Sequence, residues 1–245
     1  MLVRYRKLIE ASILQGWPDS HAFDLPGIPQ HVVQRGNNRL PCFLGDEDRA
    51  QYRQLLHEAV LATGCQVHAY VLMDNHVHLL VTPPEAGALG RTMQKLGRKY
   101  VGLFNDRHGR TGTLCEGRYK ACPVDGAEDL LRCVRYIDLN LVRARMTDDP
   151  STFAWSSCPG LCGLREDPLL TLHPVQRALG TEAYRTVLAE AMNDEDLAAL
   201  RLYLQQQRAY GRDAFRAMVE GKTQRFAGVR PAHRPARAKS IIEPG

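Results

Sequence analysis

Two histidines separated by one residue are the clearest chemical feature of this 245-residue chain. His76 and His78 follow the polar pair Asp74 and Asn75 and stand in an otherwise apolar run. Because side chains alternate across a strand, both imidazoles are expected to leave the same face. Two neighbouring imidazoles can bind one divalent metal ion. A half-buried strand with two polar residues is the alternative interpretation of the pattern.

A tyrosine that follows this pair supplies a candidate nucleophile. A helix is predicted from about residue 88 to 106, and Tyr100 falls late on its apolar stripe. A tyrosine hydroxyl can attack a metal-polarised phosphodiester and form a covalent phosphotyrosine link, which a second hydroxyl later reverses. The alternative is a core tyrosine whose hydroxyl lies at the edge of the helix.

The elements that would position these residues alternate in a regular order. The predicted order is strand, helix, strand, strand, helix, strand, followed by a further helix. This βαββαβ order predicts an α+β, ferredoxin-like fold, in which an antiparallel sheet carries its helices on one face. The predicted elements are a strand at 31–35, a helix at 46–63, a hairpin of strands at 66–73 and 76–82, the helix at 88–106, an extended segment at 114–124 and a helix from 127 to about 145.

The flanking regions differ in composition from this central domain. We predict an N-terminal extension at 1–22, the main domain at 23–150, a helical C-terminal region at 151–220 and a basic tail at 221–245. The formal net charge of the chain is +5, and the tail alone carries six basic residues and one acidic residue. Such a tail is expected to be disordered, either as an arm for nucleic acid or as a solvating segment.

The remaining composition excludes several classes of protein. No run of 18 apolar residues occurs, and the N-terminus lacks the pattern of a signal peptide, so we expect neither a membrane span nor export. The seven cysteines are scattered, which favours reduced thiols over a disulfide framework. The expected location is therefore the cytoplasm.

Several short sequence motifs, in a fixed order, carry a more specific signal than the histidine pair alone. They occur at residues 26–39, 70–80, 100–105, 109–120 and 135–144. In these motifs and their spacing the chain resembles the REP-associated tyrosine transposases, which are single-tyrosine nucleases with a His-hydrophobe-His motif. The resemblance extends from about residue 26 to 155, and more loosely from 172 to 215.

The resemblance implies a single-strand DNA endonuclease and strand transferase that acts on DNA hairpins such as repetitive extragenic palindromes. It therefore also implies an association with the nucleoid. By position, it implies His76 and His78 as ligands of Mg²⁺ or Mn²⁺ and Tyr100 as the nucleophile. It also points to a polar third ligand just after the tyrosine, which would be Asn105. Five residues along a helix turn through roughly 140° away from Tyr100, so His108 is an alternative.

The DNA is expected to meet basic and amide side chains, and phosphate contacts should make binding weaken steeply with salt. The active unit would be a monomer or a homodimer, and in a homodimer Tyr100 would act in trans. Two other hypotheses are a non-catalytic nucleic-acid-binding protein on the same fold and a metal-dependent phosphohydrolase without a covalent step. The candidate DNA contacts are Arg35, Asn37, Asn38, Arg91, Lys95, Arg98, Arg118 and Lys120.

Overall fold

The computed structural model describes residue 23 and residues 25–230. The predicted extension at 1–22 and the part of the basic tail at 231–245 lie outside the described residues. Among the described helices, none combines the length and the apolar character needed to cross a bilayer.

A four-stranded antiparallel sheet forms the centre of the domain, in the order β2–β3–β1–β4. Two long helices, α1 and α2, follow β1 and β3, so the predicted ferredoxin-like order is confirmed. The last strand is shorter than predicted, because Cys115 makes only an isolated bridge with Gly36. The elements are β1 Gln30–Arg35, α1 Asp46–Thr63, β2 Gln66–Met73, β3 His76–Thr82, α2 Ala88–Arg107 and β4 Lys120–Pro123.

One face of the sheet packs against α1 and α2. Val77, Leu79 and Val81 of β3 are at most 2% exposed and belong to this first core. Leu56 of α1 and Leu96 of α2 meet them from the helix layer. The two-residue period of a strand explains why alternate residues of β3 enter one core.

The opposite face of the sheet is also covered. Leu80 of β3 and Val33 of β1 belong to a second core, together with apolar residues of the helix α3, Ala127–Asp138. The short helix α4, Asn140–Arg143, follows α3 after one residue, where a single helix to about 145 was predicted. Four of the seven cysteines lie in this core, and all seven are free thiols, as expected.

The C-terminal region is helical, as predicted, and packs on the α3 side of the sheet. Its helices are α5 Cys158–Leu161, α6 Pro174–Leu179, α7 Thr181–Ala189, α8 Asp194–Gln206 and α9 Asp213–Thr223. The buried Asp138 carboxylate at the end of α3 accepts a 2.5 Å hydrogen bond from the Tyr184 hydroxyl of α7. This bond links α3 to the C-terminal region.

The boundary of the basic tail was predicted too early. Helix α9 continues to Thr223, and Ala227 is fully buried. The backbone N–H of Ala227 donates to Glu220, and Gln206 exchanges two hydrogen bonds with the backbone of Arg230. Residues 221–230 are therefore packed against α8 and α9 rather than disordered.

A buried carboxylate joins the start of α1 to the end of α2. Asp48 is 1% exposed and accepts hydrogen bonds from the Leu44 backbone N–H at 2.8 Å, Arg107 at 2.7 Å and His108 at 3.0 Å. Burial alone raises the pKa of Asp48, but these hydrogen bonds outweigh it and hold the pKa below its ordinary value.

We predict that Asp48→Asn lowers the free energy of unfolding by about 1–3 kcal/mol at pH 7, because the substitution weakens buried hydrogen bonds to a charged acceptor. A depressed folded-state pKa stabilises the protein above the ordinary carboxyl pKa and loses that effect as the pH falls. Urea unfolding of both proteins between pH 7 and pH 2 should therefore show a gap that narrows below about pH 4. Glu47→Gln, an exposed change one residue away, is the control. A gap that stays constant with pH would contradict the assignment.

Candidate active site

A cleft of about 600 Å³ lies on the α3 side of the sheet, and it contains both histidines of the His-x-His pair. His76 and His78 enter it from β3, on the face that carries Leu80 into the second core. Tyr136 of α3 and Asn140 of α4 line the same cleft. The strand period and the covering helix together bring these four side chains to one place.

In both imidazoles, Nδ1 is the ring nitrogen that makes a hydrogen bond. Nδ1 of His76 lies 2.6 Å from Oδ1 of Asn75, and Nδ1 of His78 lies 2.9 Å from Nε2 of His31. Neither Nε2 atom has a hydrogen-bond partner among the described residues. The ring centroids are 5.0 Å apart, so the two Nε2 atoms are available to one shared ligand.

Both histidines are neutral at physiological pH. Burial lowers the pKa of His76 to about 4, with a further contribution from the charge of Arg35. Burial, followed by the nearby His31, His76 and arginines, holds the pKa of His78 well below its ordinary value. A neutral imidazole is the form that binds a metal ion.

His31 is a functional candidate that the sequence analysis missed. It is fully buried in β1, stacks on His78 at 5.1 Å and is neutral because burial lowers its pKa to about 3. Its hydrogen bond to Nδ1 of His78 holds the orientation of that ring. The sequence signal was the alternation of side chains along β1. Val33 pairs with His78 on the neighbouring strand, and His31, two residues before Val33, lies on the same face of the sheet.

Tyr136 and Asn140 were also missed. They are 5% and 9% exposed, and the Tyr136 ring lies 5.8 Å from His78 and 5.6 Å from His31. Their signal was the spacing of four residues, which places two side chains on one helical face. Both residues lie in the sequence motif at 135–144, which carried part of the family resemblance.

Arg143 holds this pair in place. Its guanidinium lies 4.6 Å from the centroid of the Tyr136 ring. It donates hydrogen bonds to the Tyr136 backbone oxygen at 2.5 Å and to Oδ1 of Asn140 at 3.0 Å. Nδ2 of Asn140 is buried without a partner among the described residues.

The residues present fit a divalent metal ion. Within the described ranges, no three side chains of His, Cys, Asp or Glu form a metal-binding group. His76 and His78 nevertheless offer two neutral imidazole nitrogens in the cleft that Asn140 also lines. The amide oxygen of Asn140 accepts one hydrogen bond from Arg143 and keeps a second lone pair for a metal ion. Mixed imidazole and carbonyl-type ligands suit Mn²⁺, and oxygen ligands suit Mg²⁺.

The prediction that Tyr100 stands beside the histidines is wrong. Tyr100 belongs to the first core, on the opposite side of the sheet, and is 3% exposed. Its hydroxyl donates a 2.6 Å hydrogen bond to the backbone oxygen of Cys42, and its ring packs against Phe43 and Tyr52. The physical reason is that the apolar stripe of α2 buries itself against Val77, Leu79 and Val81, not against the histidine face.

The two predicted third ligands do not reach the histidine pair either. Asn105 donates from Nδ2 to the backbone oxygen of Gly112 at 2.9 Å, in the loop after α2. His108 is bonded through Nε2 to the Asp48 carboxylate. Both residues follow Tyr100 on the α2 side of the sheet, so the expectation fails for the same reason.

The predicted DNA contacts divide into two groups. Arg35, Arg118 and Lys120 line the cleft, as does Arg39, which the sequence analysis did not select. Asn37 and Asn38 lie beside Arg39 in a short 3₁₀ turn. The predicted contacts on α2, the helix that covers the opposite face, are not brought to the cleft, and these are Arg91, Lys95 and Arg98.

The charge of the cleft is strongly positive. One acidic residue, Glu116, stands among the basic residues that line it. Such a surface attracts a polyanion and gives salt-dependent binding. The basic lining residues are Arg35, Arg39, Arg118, Lys120 and Arg201.

Comparison with known proteins is consistent with this geometry. A family model described as IS200-like transposase matches residues 26–140, in agreement with the resemblance inferred from the sequence motifs. The structure of a REP-associated tyrosine transposase bound to a REP hairpin is similar in fold, with a TM-score of 0.52 and 16% identity, over 65% of this chain and 90% of that chain. A putative transposase from Deinococcus radiodurans R1 aligns at 17% identity and a TM-score of 0.34, over 54% of this chain and 92% of that chain. A search of curated protein sequences finds no significant match.

We predict that Tyr100→Phe lowers the free energy of unfolding by about 1–2 kcal/mol, because it leaves the buried Cys42 carbonyl without its donor. The measurement is urea unfolding followed by circular dichroism. Tyr52→Phe is the control, because the Tyr52 hydroxyl lies in the same core and has no hydrogen-bond partner among the described residues. An unchanged stability would contradict the structural role of the Tyr100 hydroxyl.

Proposed function

We propose that this protein, whose residues 26–140 match the IS200-like transposase family, cuts and rejoins single-stranded DNA through a covalent link to Tyr136. The observation that carries the proposal is the position of Tyr136, whose ring contacts His78 in the same positively charged cleft. Tyr136 and both histidines belong to one chain, so the proposed site is complete in cis.

In the proposed reaction, the Tyr136 hydroxyl loses its proton and its oxygen attacks the phosphorus of a phosphodiester. The bond to the 3′ oxygen of the neighbouring nucleotide breaks, and that oxygen takes up a proton from solvent to replace the one that Tyr136 released. The products are a 5′-phosphotyrosine and a free 3′ hydroxyl. The link preserves the energy of the phosphodiester, so a 3′ hydroxyl from another DNA end can displace Tyr136 and join the strands.

The chain supplies the groups that hold the reacting phosphate. His76, His78 and the amide oxygen of Asn140 would hold Mg²⁺ or Mn²⁺, which when bound polarises the phosphoryl oxygens and stabilises the charge that develops on them. His31 and Asn75 orient the two imidazoles through their Nδ1 atoms. The basic residues of the cleft bind the flanking phosphates.

The proposed substrate is a DNA hairpin of the repetitive extragenic palindrome type. The fold neighbour described above was solved on such a hairpin, and the open, basic rim of the cleft suits a strand that leaves a duplex stem. Arg35, which pairs with His76 across β1 and β3, and Arg118 line the same cleft and would contact the phosphates.

We predict that Tyr136→Phe abolishes a metal-dependent covalent adduct, whereas Tyr100→Phe retains it. The assay mixes full-length protein with hairpin DNA taken from repeats flanking its own gene, labelled at either the 5′ or the 3′ end, in the presence of Mg²⁺ or Mn²⁺. Denaturing gels then separate the adduct from free DNA. The adduct should carry only the label of the 3′ fragment and should disappear in His76→Ala and with a chelator.

Three outcomes would overturn this mechanism. Cleavage that survives Tyr136→Phe and leaves free ends would indicate a phosphohydrolase that uses the histidines without a covalent step. Hairpin binding with no adduct under any metal condition would indicate a non-catalytic DNA-binding protein on the same fold. An adduct lost in Tyr100→Phe alone would return the nucleophile to α2.

We also predict that His31→Leu weakens Mn²⁺ binding by about 10–100-fold, the usual effect of losing a residue that orients a metal-binding histidine. His31→Gln should retain part of the affinity, because its side-chain oxygen can accept a hydrogen bond from Nδ1 of His78. Electron paramagnetic resonance of free Mn²⁺ measures the affinity without DNA, and thermal unfolding checks the fold. His57→Leu, on the far side of the sheet, is the control; equal affinities in all three variants would exclude the role.

A further inference from the structure

The turn after β1 brings Arg39 to the cleft from an unusual backbone conformation. Asn38 has a φ of 53° and Arg39 a φ of 60°, so two successive residues lie in the left-handed region that L residues rarely adopt. The turn is also tight, because a Cβ atom at Gly36 would clash with the backbone oxygen of Leu40. Such a turn persists only where the surrounding structure holds it.

Asn75, in the turn between β2 and β3, holds the Arg39 turn and the first histidine at the same time. Its Nδ2 donates a 3.0 Å hydrogen bond to the backbone oxygen of Arg39, and its Oδ1 lies 2.6 Å from Nδ1 of His76. Its own backbone oxygen accepts a 2.8 Å hydrogen bond from the N–H of Gly36. One residue therefore joins a proposed metal ligand to the segment that carries a proposed DNA contact.

The chemistry of these groups fixes the direction of both side-chain hydrogen bonds. A backbone carbonyl can only accept, so the contact with Arg39 requires the NH₂ group of the Asn75 amide to face it. The amide oxygen then faces His76, and because that oxygen can only accept, Nδ1 of His76 must carry the hydrogen. A neutral imidazole has one N–H, so Nε2 keeps the lone pair that binds a metal ion.

The Arg39 carbonyl is what prevents the opposite arrangement. If the Asn75 amide were rotated by half a turn, its NH₂ group would face Nδ1 of His76, and the ring hydrogen would move to Nε2. The metal-binding lone pair would then be lost, but the rotated amide would also place its oxygen against the Arg39 oxygen. His78 lacks this constraint, because its Nδ1 faces a ring nitrogen of His31 and either nitrogen can be the donor.

We propose that the Arg39 turn and the metal site form one unit, in which the Arg39 carbonyl selects the metal-binding tautomer of His76 through the Asn75 amide. Because coupling between two sites is reciprocal, metal binding in turn favours the turn conformation that presents Arg39 to a DNA phosphate. Asn75 is therefore a positioning residue for both ligands. This inference rests on the proposed function for the identity of the metal and the DNA.

The first test alters the turn and measures the metal site. Asn38→Pro fixes φ near −65° and cannot adopt the turn, so it should weaken Mn²⁺ binding about 3–10-fold, although Asn38 is an exposed residue. Asn38→Gly, which allows positive φ, is the matched control and should change the affinity by less than about 2-fold. Electron paramagnetic resonance of free Mn²⁺ measures both without DNA, and thermal unfolding checks the fold.

Nitrogen-15 NMR of the histidine rings in the metal-free protein observes the tautomer directly, and the spectrum of His76→Gln assigns the signals. In the wild type and in Asn38→Gly, the His76 hydrogen should lie on Nδ1. In Asn38→Pro, a population with the hydrogen on Nε2 should appear. A turn that only supported the fold would leave the tautomer unchanged.

The second test separates the two functions of Asn75. In Asn75→Asp the carboxylate still accepts from Nδ1 of His76, so Mn²⁺ should bind no more than about 3-fold more weakly than in the wild type. The carboxylate cannot donate to the Arg39 carbonyl, so binding of the fluorescent hairpin in a chelator, measured by anisotropy, should weaken. Asn38→Asp adds the same charge beside Arg39, and the loss in Asn75→Asp should exceed its loss by about 3-fold or more. Asn75→Ala should weaken both ligands.

The outcomes separate this inference from the proposed function. An unchanged tautomer and Mn²⁺ affinity in Asn38→Pro, or equal hairpin binding by Asn75→Asp and Asn38→Asp, would overturn the coupling, whether or not the adduct forms. If Asn38→Pro shifts the tautomer and weakens Mn²⁺ binding while no adduct forms with any metal, the coupling stands and the covalent mechanism fails. A wild type that binds no Mn²⁺ would overturn the metal site and the coupling together.

Discussion

The two-residue period of β3 determines what each side of the sheet contains. Val77, Leu79 and Val81 enter the core under α1 and α2, and His76 and His78 therefore emerge on the other side. Antiparallel pairing with β1 and with β2 on either edge holds this register. A slip of one residue would bury the imidazoles among the apolar residues of the first core and remove them from the cleft.

The face of the sheet that carries the histidines can bind a ligand only because the helices that cover it leave a cleft beside the two rings. Helix α3 packs its apolar residues against Leu80 and Val33 and leaves Tyr136 beside the rings. The buried imidazoles keep hydrogen-bond partners at Nδ1, which limits the free-energy cost of their desolvation. Because these partners occupy only Nδ1, the Nε2 atom of each ring remains available to a metal ion. The hydrogen bonds that stabilise the buried rings therefore also preserve their metal-binding atoms.

The C-terminal region stabilises the helix that carries the proposed nucleophile. Asp138, two residues after Tyr136, is fully buried, and burial raises its pKa to about 7. The Tyr184 hydroxyl of α7 supports that carboxyl group, and α8 packs on the same helix. The region thus has a positioning role, which explains why the cleft depends on more than the matched domain.

The sequence by itself determined the order of the elements, the limits of α1, β2 and β3, and the face of β3 that carries the histidines. It also contained the reason to reject Tyr100, because an apolar stripe on α2 must pack on the apolar face of the strand rather than on the histidine face. Such properties follow from residues close together in the chain.

Only the tertiary structure decided which helix covers the histidine face and which tyrosine that helix presents. The four-residue spacing of Tyr136 and Asn140 is equally typical of a helix that simply buries one side in a core. Their selection depends on contacts between β1, β3, α3 and α8, which are far apart in sequence, and no local period encodes which surfaces meet. The same reason explains the basic residues, since Arg98 and Arg118 look alike in sequence and lie on opposite sides of the sheet.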